Sequence, residues 1–242
     1  MDRMIYLSMS GAKAALQRQD SLANNLANAS TNGFRAELTA FRAVPIRGDG
    51  ASTRVFSLET TPGYSDEQGA INATGRSLDV AMTGKSWLAV QSLDGTEAYT
   101  RAGALDVNSE GVLVTQSGLQ VNGDGGPITV PQNATVDVAE DGTITAKVGN
   151  QKPTQIGKLK LVTPDVPMNR GTDGLFRAES GDLAADPAAR LQSGALEGSN
   201  VSPVATMVGM IAAARQFEQQ MKLLENAEKQ DQSAAKLLSE NG

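Results

Sequence analysis

The chain has 242 residues, 21 Lys+Arg against 27 Asp+Glu, a net charge of −6, and only 1 Trp, 3 Tyr and 5 Phe. It contains no His and no Cys, which excludes a Ser-His-Asp triad, a Cys nucleophile and a Cys/His zinc site. An acidic chain without a basic block is poorly suited to nucleic acid, where phosphate neutralisation supplies much of the affinity.

No nucleic-acid partner, cofactor or metal is therefore expected. No segment reaches the roughly 18 apolar residues of a membrane span, so the protein is not expected to be membrane-embedded. Met1-Asp2-Arg3-Met4-Ile5-Tyr6-Leu7 has no basic region followed by an apolar core and a cleavage site. The expectation is a protein that stays in the cytoplasm or leaves by a route that cleaves no signal.

From Met1 to about Arg35 there is no Pro, and Gly occurs only at Gly11 and Gly33. Ile5, Met9, Ala12, Leu16, Gln19, Ala23 and Leu26 recur at 4,3,4,3,4,3, the heptad seam of a helix that packs on another helix. Asn32-Gly33 is a suitable stop, because Gly accepts the left-handed conformation after a last turn.

Residues 36–70 carry Pro45, Pro62 and several Gly with little period and read as an extended connector, long for an ordinary loop. From 71 to 197 the period changes to 2. Leu78-Val80-Met82, Leu88-Val90, Leu105-Val107, Val136-Val138, Ile144-Ala146 and Leu159-Leu161 alternate with polar residues. Asp94-Gly95, Asn122-Gly123, Asp141-Gly142 and Asp173-Gly174 mark turns. This predicts a compact antiparallel β domain.

From Gly198 to the end a second long helix is expected, with Ser202 as N-cap and Pro203 in the first helical position. Its seam is Met207, Met210, Ala214, Phe217, Met221 and Leu224, resuming at Ala235 and Leu238. The fold class is therefore α+β: long N-terminal (1–35) and C-terminal (198–242) helices in a coiled-coil-like core, a central all-β domain and a connector. Periodicity does not separate a helical hairpin within one subunit from helices paired between neighbours. Ala12, Ala14, Ala15, Ala23, Ala27 and Ala212-Ala213-Ala214 bury little area each, at ~0.8 kcal/mol per methylene, which favours several neighbours over a lone hairpin.

Motifs for chemistry do not survive their context. Ser10-Gly11-Ala12-Lys13 and Ser233-Ala234-Ala235-Lys236 match S-x-x-K, but its companion elements are absent. Asp106–Gly111 resembles the start of a calcium loop, yet its twelfth position is Ser117, not Glu. Asn122-Gly123-Asp124-Gly125-Gly126 lacks the Gly-Lys-Ser/Thr of a phosphate loop. Both read as turns, and no catalytic residue is assigned. Arg215, Lys222, Lys229 and Lys236 form a basic column every seven residues, read first as a solvated face.

Asn is a poor helix former, so Asn24, Asn25 and Asn28 beside a heptad seam need a reason: exposure, or amides that fix register across an interface. The run Asn24-Asn25-Leu26-Ala27-Asn28-Ala29-Ser30-Thr31-Asn32-Gly33-Phe34, followed by Arg35, resembles the N-terminal signature of the bacterial flagellar rod and hook proteins. Leu196-Glu197-Gly198-Ser199-Asn200-Val201, with Met207, Met210-Ile211, Arg215 and Phe217-Glu218, resembles their C-terminal run. Leu78-Asp79-Val80-Ala81, Tyr99-Thr100-Arg101 and Gly111-Val112-Leu113-Val114-Thr115 resemble their β region.

Met1-Asp2 with Ile5-Tyr6, Arg42-Ala43-Val44-Pro45 and Trp87-Leu88-Ala89-Val90 are most similar to the proximal rod members; distal rod and hook subunits usually carry a Phe-Phe pair near that Trp. Phe217 stands where the family often has Tyr.

The resemblance implies a structural, non-enzymatic subunit of the basal-body rod spanning the periplasm, exported through the flagellar type III apparatus. Its implied partners are other proximal and distal rod proteins and copies of itself. The expected assembly interface is Ile5, Met9, Leu16, Asn24, Asn25, Leu26, Asn28, Gly33 and Phe34, with Met207, Met210, Ile211, Phe217, Met221 and Leu224. The alternatives are a distal-rod paralogue, or a self-contained β binding module on a helical stalk whose ligand patch would use Trp87, Tyr64 and Tyr99.

Overall fold

The computed structural model describes residues 2–45 and 55–240. Residues 46–54 of the expected connector, Met1, and the side chains of Ala235 and Leu238 lie outside the described residues. The chain divides into two compact units. One comprises residues 1–29, 36–65 and 201–242; the other comprises 30–35 and 66–200.

The first unit contains α1 (Asp2–Ala27), β1 (Glu37–Pro45), β2 (Val55–Tyr64) and α2 (Pro203–Glu240). The helices pack on each other in opposite directions, with Gly11 against Gln220 and Leu22 against Gly209. Ser202 caps α2 as expected. Its Oγ accepts from the Ala205 N–H at 3.4 Å, and its carbonyl accepts from the Thr206 N–H at 2.9 Å. Residues 36–70, expected as an extended connector, carry β1 and β2, which pair antiparallel from Glu37↔Tyr64 to Pro45↔Val55 with an irregularity between Leu38 and Ala40.

α1 is shorter than the Met1–Arg35 span its composition suggests. It ends at Ala27, where the Asn28 N–H is shared between the carbonyls of Asn24 and Asn25 at 3.1 and 3.2 Å. The Asn28 amide also donates to Asn24 at 3.0 and 3.2 Å. Local amide bonding of this kind competes with continued helix. Five residues separate the last helical turn from Gly33, which is therefore not the helix stop.

The helical seam is also displaced in part. In α2 the residues that are buried or half-buried run Thr206, Gly209, Met210, Ala213, Ala214, Phe217, Gln220, Leu224 and Ala227. This stripe shares Met210, Ala214, Phe217 and Leu224 with the expected seam, whereas Met207 and Met221 are exposed and Thr206 and Gln220 turn inward instead. In α1 the buried positions Ser8, Ala12, Ala14, Ala15, Ser21 and Asn25 are all small or polar.

The second unit is antiparallel throughout. Its largest sheet runs Met168–Arg170, Phe176–Ala178, Glu97–Thr100, Trp87–Gln91, Gln120–Gly123, Leu113–Thr115 and Leu105–Val107, with Gly126–Pro127 and Leu161–Val162 attached. A three-stranded meander, Ala134–Val138, Thr143–Val148 and Thr154–Lys158, lies in the same unit. Val80, Met82, Leu88, Val90, Leu105, Leu113, Val121, Ile144 and Leu159 form the core.

The first two strands of the meander keep the inside–outside alternation expected of a half-buried strand, whereas Val80–Met82 and Trp87–Val90 are buried at every position. Three expected turns carry left-handed glycines, Gly95, Gly142 and Gly174. Asn122-Gly123 instead ends a strand, pairing with Pro127 and Gly126, so the turn sits at Asp124-Gly125. Leu159 makes an isolated bridge to Gly123, and the strand begins at Leu161.

Candidate assembly site

The helices supply the first part of the site. Val204, Met207, Val208 and Ile211 recur at i, i+3, i+4 and i+7, and each is 46–69% exposed. At 100° per residue they lie roughly opposite Thr206 and Ala213, which face inward. On α1, Met9 and Leu16 are exposed one heptad apart, and Tyr6 is exposed as well. Four or more large apolar side chains in one exposed stripe mark an interaction surface more often than a solvated one.

Asn25 behaves differently from its neighbours in the signature. It is buried, and its amide Nδ2 donates to the Glu37 carbonyl at 2.9 Å while Oδ1 accepts from the Glu37 N–H at 2.7 Å. One side-chain amide thus satisfies both backbone groups at the start of β1, as a paired strand residue would. Ser21 Oγ reaches the Glu37 carboxylate at 3.4 Å.

The second half of the signature folds into the β unit. Gly33 has φ +70°, and a Cβ there would lie 2.2 Å from the Arg101 carbonyl carbon. Its N–H donates to the Glu197 carbonyl at 2.8 Å. The buried Phe34 ring lies under the Arg170 guanidinium, 4.4 Å from its centroid, a favourable cation–π geometry.

Beside them Arg35, Arg101 and Glu197 are 2%, 1% and 0% exposed. Glu197 Oε1 accepts from Arg35 Nη1 at 2.8 Å and from the Gly69 N–H at 3.0 Å. Its Oε2 accepts from Arg101 Nε at 2.7 Å. The remaining Arg101 N–H groups donate to the carbonyls of Met82, Gly84 and Ser86 at 2.7–2.9 Å. Arg35 also donates to the Glu67 carbonyl, while its Nε is the one buried side-chain donor without a partner among the described residues. Burial pushes the Arg35 guanidinium below its ordinary value; Glu197 raises it again and Arg101 lowers it. A guanidinium nonetheless stays charged throughout the physiological range.

Of the expected interface residues, Asn25, Gly33 and Phe34 are buried. Ile5, Leu26, Asn28, Met210, Phe217 and Leu224 are half-buried, and Met9, Leu16, Asn24, Met207, Ile211 and Met221 are exposed. The ion-paired trio was not among them. Nothing in periodicity marks a buried charge, and only the placement of Arg35, Arg101 and Glu197 inside the three family-like runs hints at it.

Trp87 and Tyr99, offered as a ligand patch, are buried, the first stacked on Phe176 with ring centroids 4.6 Å apart. The Tyr99 hydroxyl donates to Glu97 at 2.7 Å and accepts from the Leu183 N–H at 2.6 Å. Ser233 Oγ bonds back to the Lys229 carbonyl at 2.8 Å, one turn earlier in α2. Arg215, Lys222, Lys229 and Lys236 are exposed. No cluster of metal-ligating side chains occurs among the described residues.

Three family models match the chain. The flagella basal body rod protein model covers residues 5–35. The flagellar hook protein FlgE/F/G D1 domain model covers 81–146, and the flagellar basal body rod FlgEFG C-terminal model covers 192–237. These matches make the chain an axial flagellar protein, with the signature and the Glu197 run inside the matched ends.

It is 46% identical to the flagellar basal-body rod protein FlgF of Salmonella typhimurium and 45% identical to that of Escherichia coli, over 99% of each chain. It is 29% identical to the rod protein FlgG of Agrobacterium fabrum, over 93% of this chain and 95% of the relative. The chain belongs to the FlgF family of flagellar basal-body rod proteins, structural subunits of the proximal rod and not enzymes.

Proposed function

We propose that this subunit joins the rod through its helical unit, packing α1 and α2 side by side with those of other proximal and distal rod proteins and of its own copies. The helices within the terminal segments 1–35 and 198–242 then form a coiled-coil-like inner core, and the segments at 30–35, 66–70 and 198–200 lead from it into the β domain. Torque passes from neighbour to neighbour through the interlocked helices, along a rod that spans the periplasm. The subunit reaches that site through the flagellar type III apparatus without a cleaved signal.

The observation that carries this reading is the apolar stripe Val204, Met207, Val208 and Ile211, left uncovered while α1 and α2 bury mostly small residues against each other. A pair of helices joined through Ala, Ser and Thr gains little from burial, so the larger apolar side chains on its outside are the main reserve of stabilisation. Met9, Leu16 and Met221 extend the direct contacts. Ile5, Leu26, Met210, Phe217 and Leu224 are half-buried in the helical unit, where Asn25 anchors β1, while Gly33 and Phe34 seat their segment in the β unit. Asn24 and Asn28 stand at the exposed end of α1, where an amide can bond across subunits.

Because the chain has no Cys, a single cysteine reports one location. Met207→Cys and Leu16→Cys, in basal bodies purified from swimming cells, should cross-link to another axial protein or to a second copy. An exposed β-domain position, Lys147→Cys, should give no link to the helices of a neighbour. Helix cysteines that stay accessible and uncross-linked in assembled rods would contradict the proposal.

A further inference from the structure

The chain passes between its two units at residues 29/30, 35/36, 65/66 and 200/201. Inside the β unit, the ends of these passing segments are fastened to one another. The Asn200 N–H donates to the Phe34 carbonyl at 3.3 Å, and the Gly198 N–H to the Ala70 carbonyl at 2.8 Å. The Glu67 carbonyl accepts from Arg35 Nη1 and from Asn200 Nδ2. The Glu197 carboxylate joins three of these parts: Arg35 from one segment, Gly69 from the next, and Arg101 from the body of the unit.

We infer that Glu197 is a positioning residue that staples these chain exits together, so that Ser30–Arg35 folds as an integral piece of the β unit in the free subunit. The boundary between what is fixed and what assembles then falls inside the signature, after Ala29. Asn24, Asn25 and Asn28 belong to the helical unit; Gly33, Phe34 and Arg35 belong to the β unit.

Two features make the staple cooperative. A carboxylate buried with two guanidiniums is tolerated only while every partner is in place, because a lone buried charge is strongly unfavourable. The backbones also approach too closely for partial docking: a Cβ at Gly69 would lie 2.1 Å from the Gly198 carbonyl oxygen, as one at Gly33 would meet Arg101. Ser30–Arg35 is therefore either seated with its neighbours or absent.

For a polymerising subunit, and here the inference rests on the rod reading, the staple lets the helices repack while the points where they leave the β unit stay fixed.

The test is amide hydrogen exchange on the full-length free subunit in increasing sub-denaturing urea. Amides of Gly33–Arg35 and Gly69 should lose protection together with those of Trp87–Gln91, and separately from those of Ser21–Ala27 in α1. Tracking with α1 instead would overturn the inference. Glu197→Gln, nearly the same shape without the charge, should speed exchange at Gly33–Arg35, Gly69 and Leu88–Val90 alike by roughly 100-fold while Ser21–Ala27 in α1 is unchanged, the scale of a broken buried ion pair. Equal acceleration everywhere, or none, would overturn it as well. If Glu197→Gln does not fold, the urea series on the unaltered protein still decides. The experiment needs no rod, so failure of the staple and failure of the basal-body cross-links are read independently.

Discussion

Glu197 sits where three chain segments and two guanidiniums meet, fully buried and fully hydrogen-bonded. Glu197→Ala leaves Arg35 and Arg101 buried without their counter-ion, and should destabilise the β unit by about 3–5 kcal/mol in urea unfolding of the purified subunit. Gly33→Ala should cost about 1–3 kcal/mol in left-handed backbone strain alone, and more once its methyl displaces the Arg101 backbone. The same unfolding experiment measures it.

At the surface, Arg177 bonds Asp173 at 2.7 Å and Ser92 at 3.0 Å, tying two turns together. The Arg177 hydrogen bond holds the Asp173 carboxyl below its ordinary range. A carboxylate with a depressed folded-state value contributes stability above the unfolded value and loses it as pH falls through the folded one. The urea midpoint should therefore fall below about pH 4, and Asp173→Asn should flatten that fall. A midpoint curve of unchanged steepness in the variant would contradict the assignment. Neither of these two charged sites was visible as a site in the sequence. Charged residues are ordinarily solvated, and Arg101 and Glu197 lie 96 residues apart, a separation no local pattern spans.

Element by element, legibility follows period and punctuation. The second helix was readable to its cap, because Ser202-Pro203 combines an N-cap acceptor with a residue preset for the first turn. Left-handed turns at Gly95, Gly142 and Gly174 were readable for the same kind of reason. What the period leaves open is phase. A 3,4 spacing fits Thr206, Ala213 and Gln220 as well as Met207, Ala214 and Met221. The hairpin covers the first set and Ala214 of the second, leaving Met207 and Met221 exposed.

β1 and β2 were missed as a pair because Pro and Gly obscure their alternation, and the partner of β1 at its start is an Asn side chain on α1. That contact yields a test distinguishing two residues of one motif. Asn25→Ala strands the backbone N–H and carbonyl of Glu37 and should destabilise the free subunit by about 1–3 kcal/mol. Asn28→Ala removes an amide that bonds Asn24 one turn earlier and should cost less than about 1 kcal/mol. Thermal melts of the two variants compare them directly; equal losses would mean that Asn25 does not anchor β1.

Across the whole molecule, the division of labour follows side-chain type. The β unit concentrates Leu, Val, Ile and Met in its core, while the fully buried side chains of α1 and α2 are, among the described residues, all small or polar, and Met9, Leu16, Met207 and Ile211 are exposed. Under the proposed assembly, this arrangement would keep the surface that joins the rod out of the monomer's own fold.

The most direct measurement is therefore a double variant, Met207→Ser with Ile211→Ser, expressed in cells lacking the unaltered gene. Its purified subunit should unfold within about 0.5 kcal/mol of the original, as exposed substitutions do. The cells should lose swimming, and the variant should be missing from purified basal bodies. Normal swimming with the double variant built into the rod would show that this stripe does not hold the subunit in place.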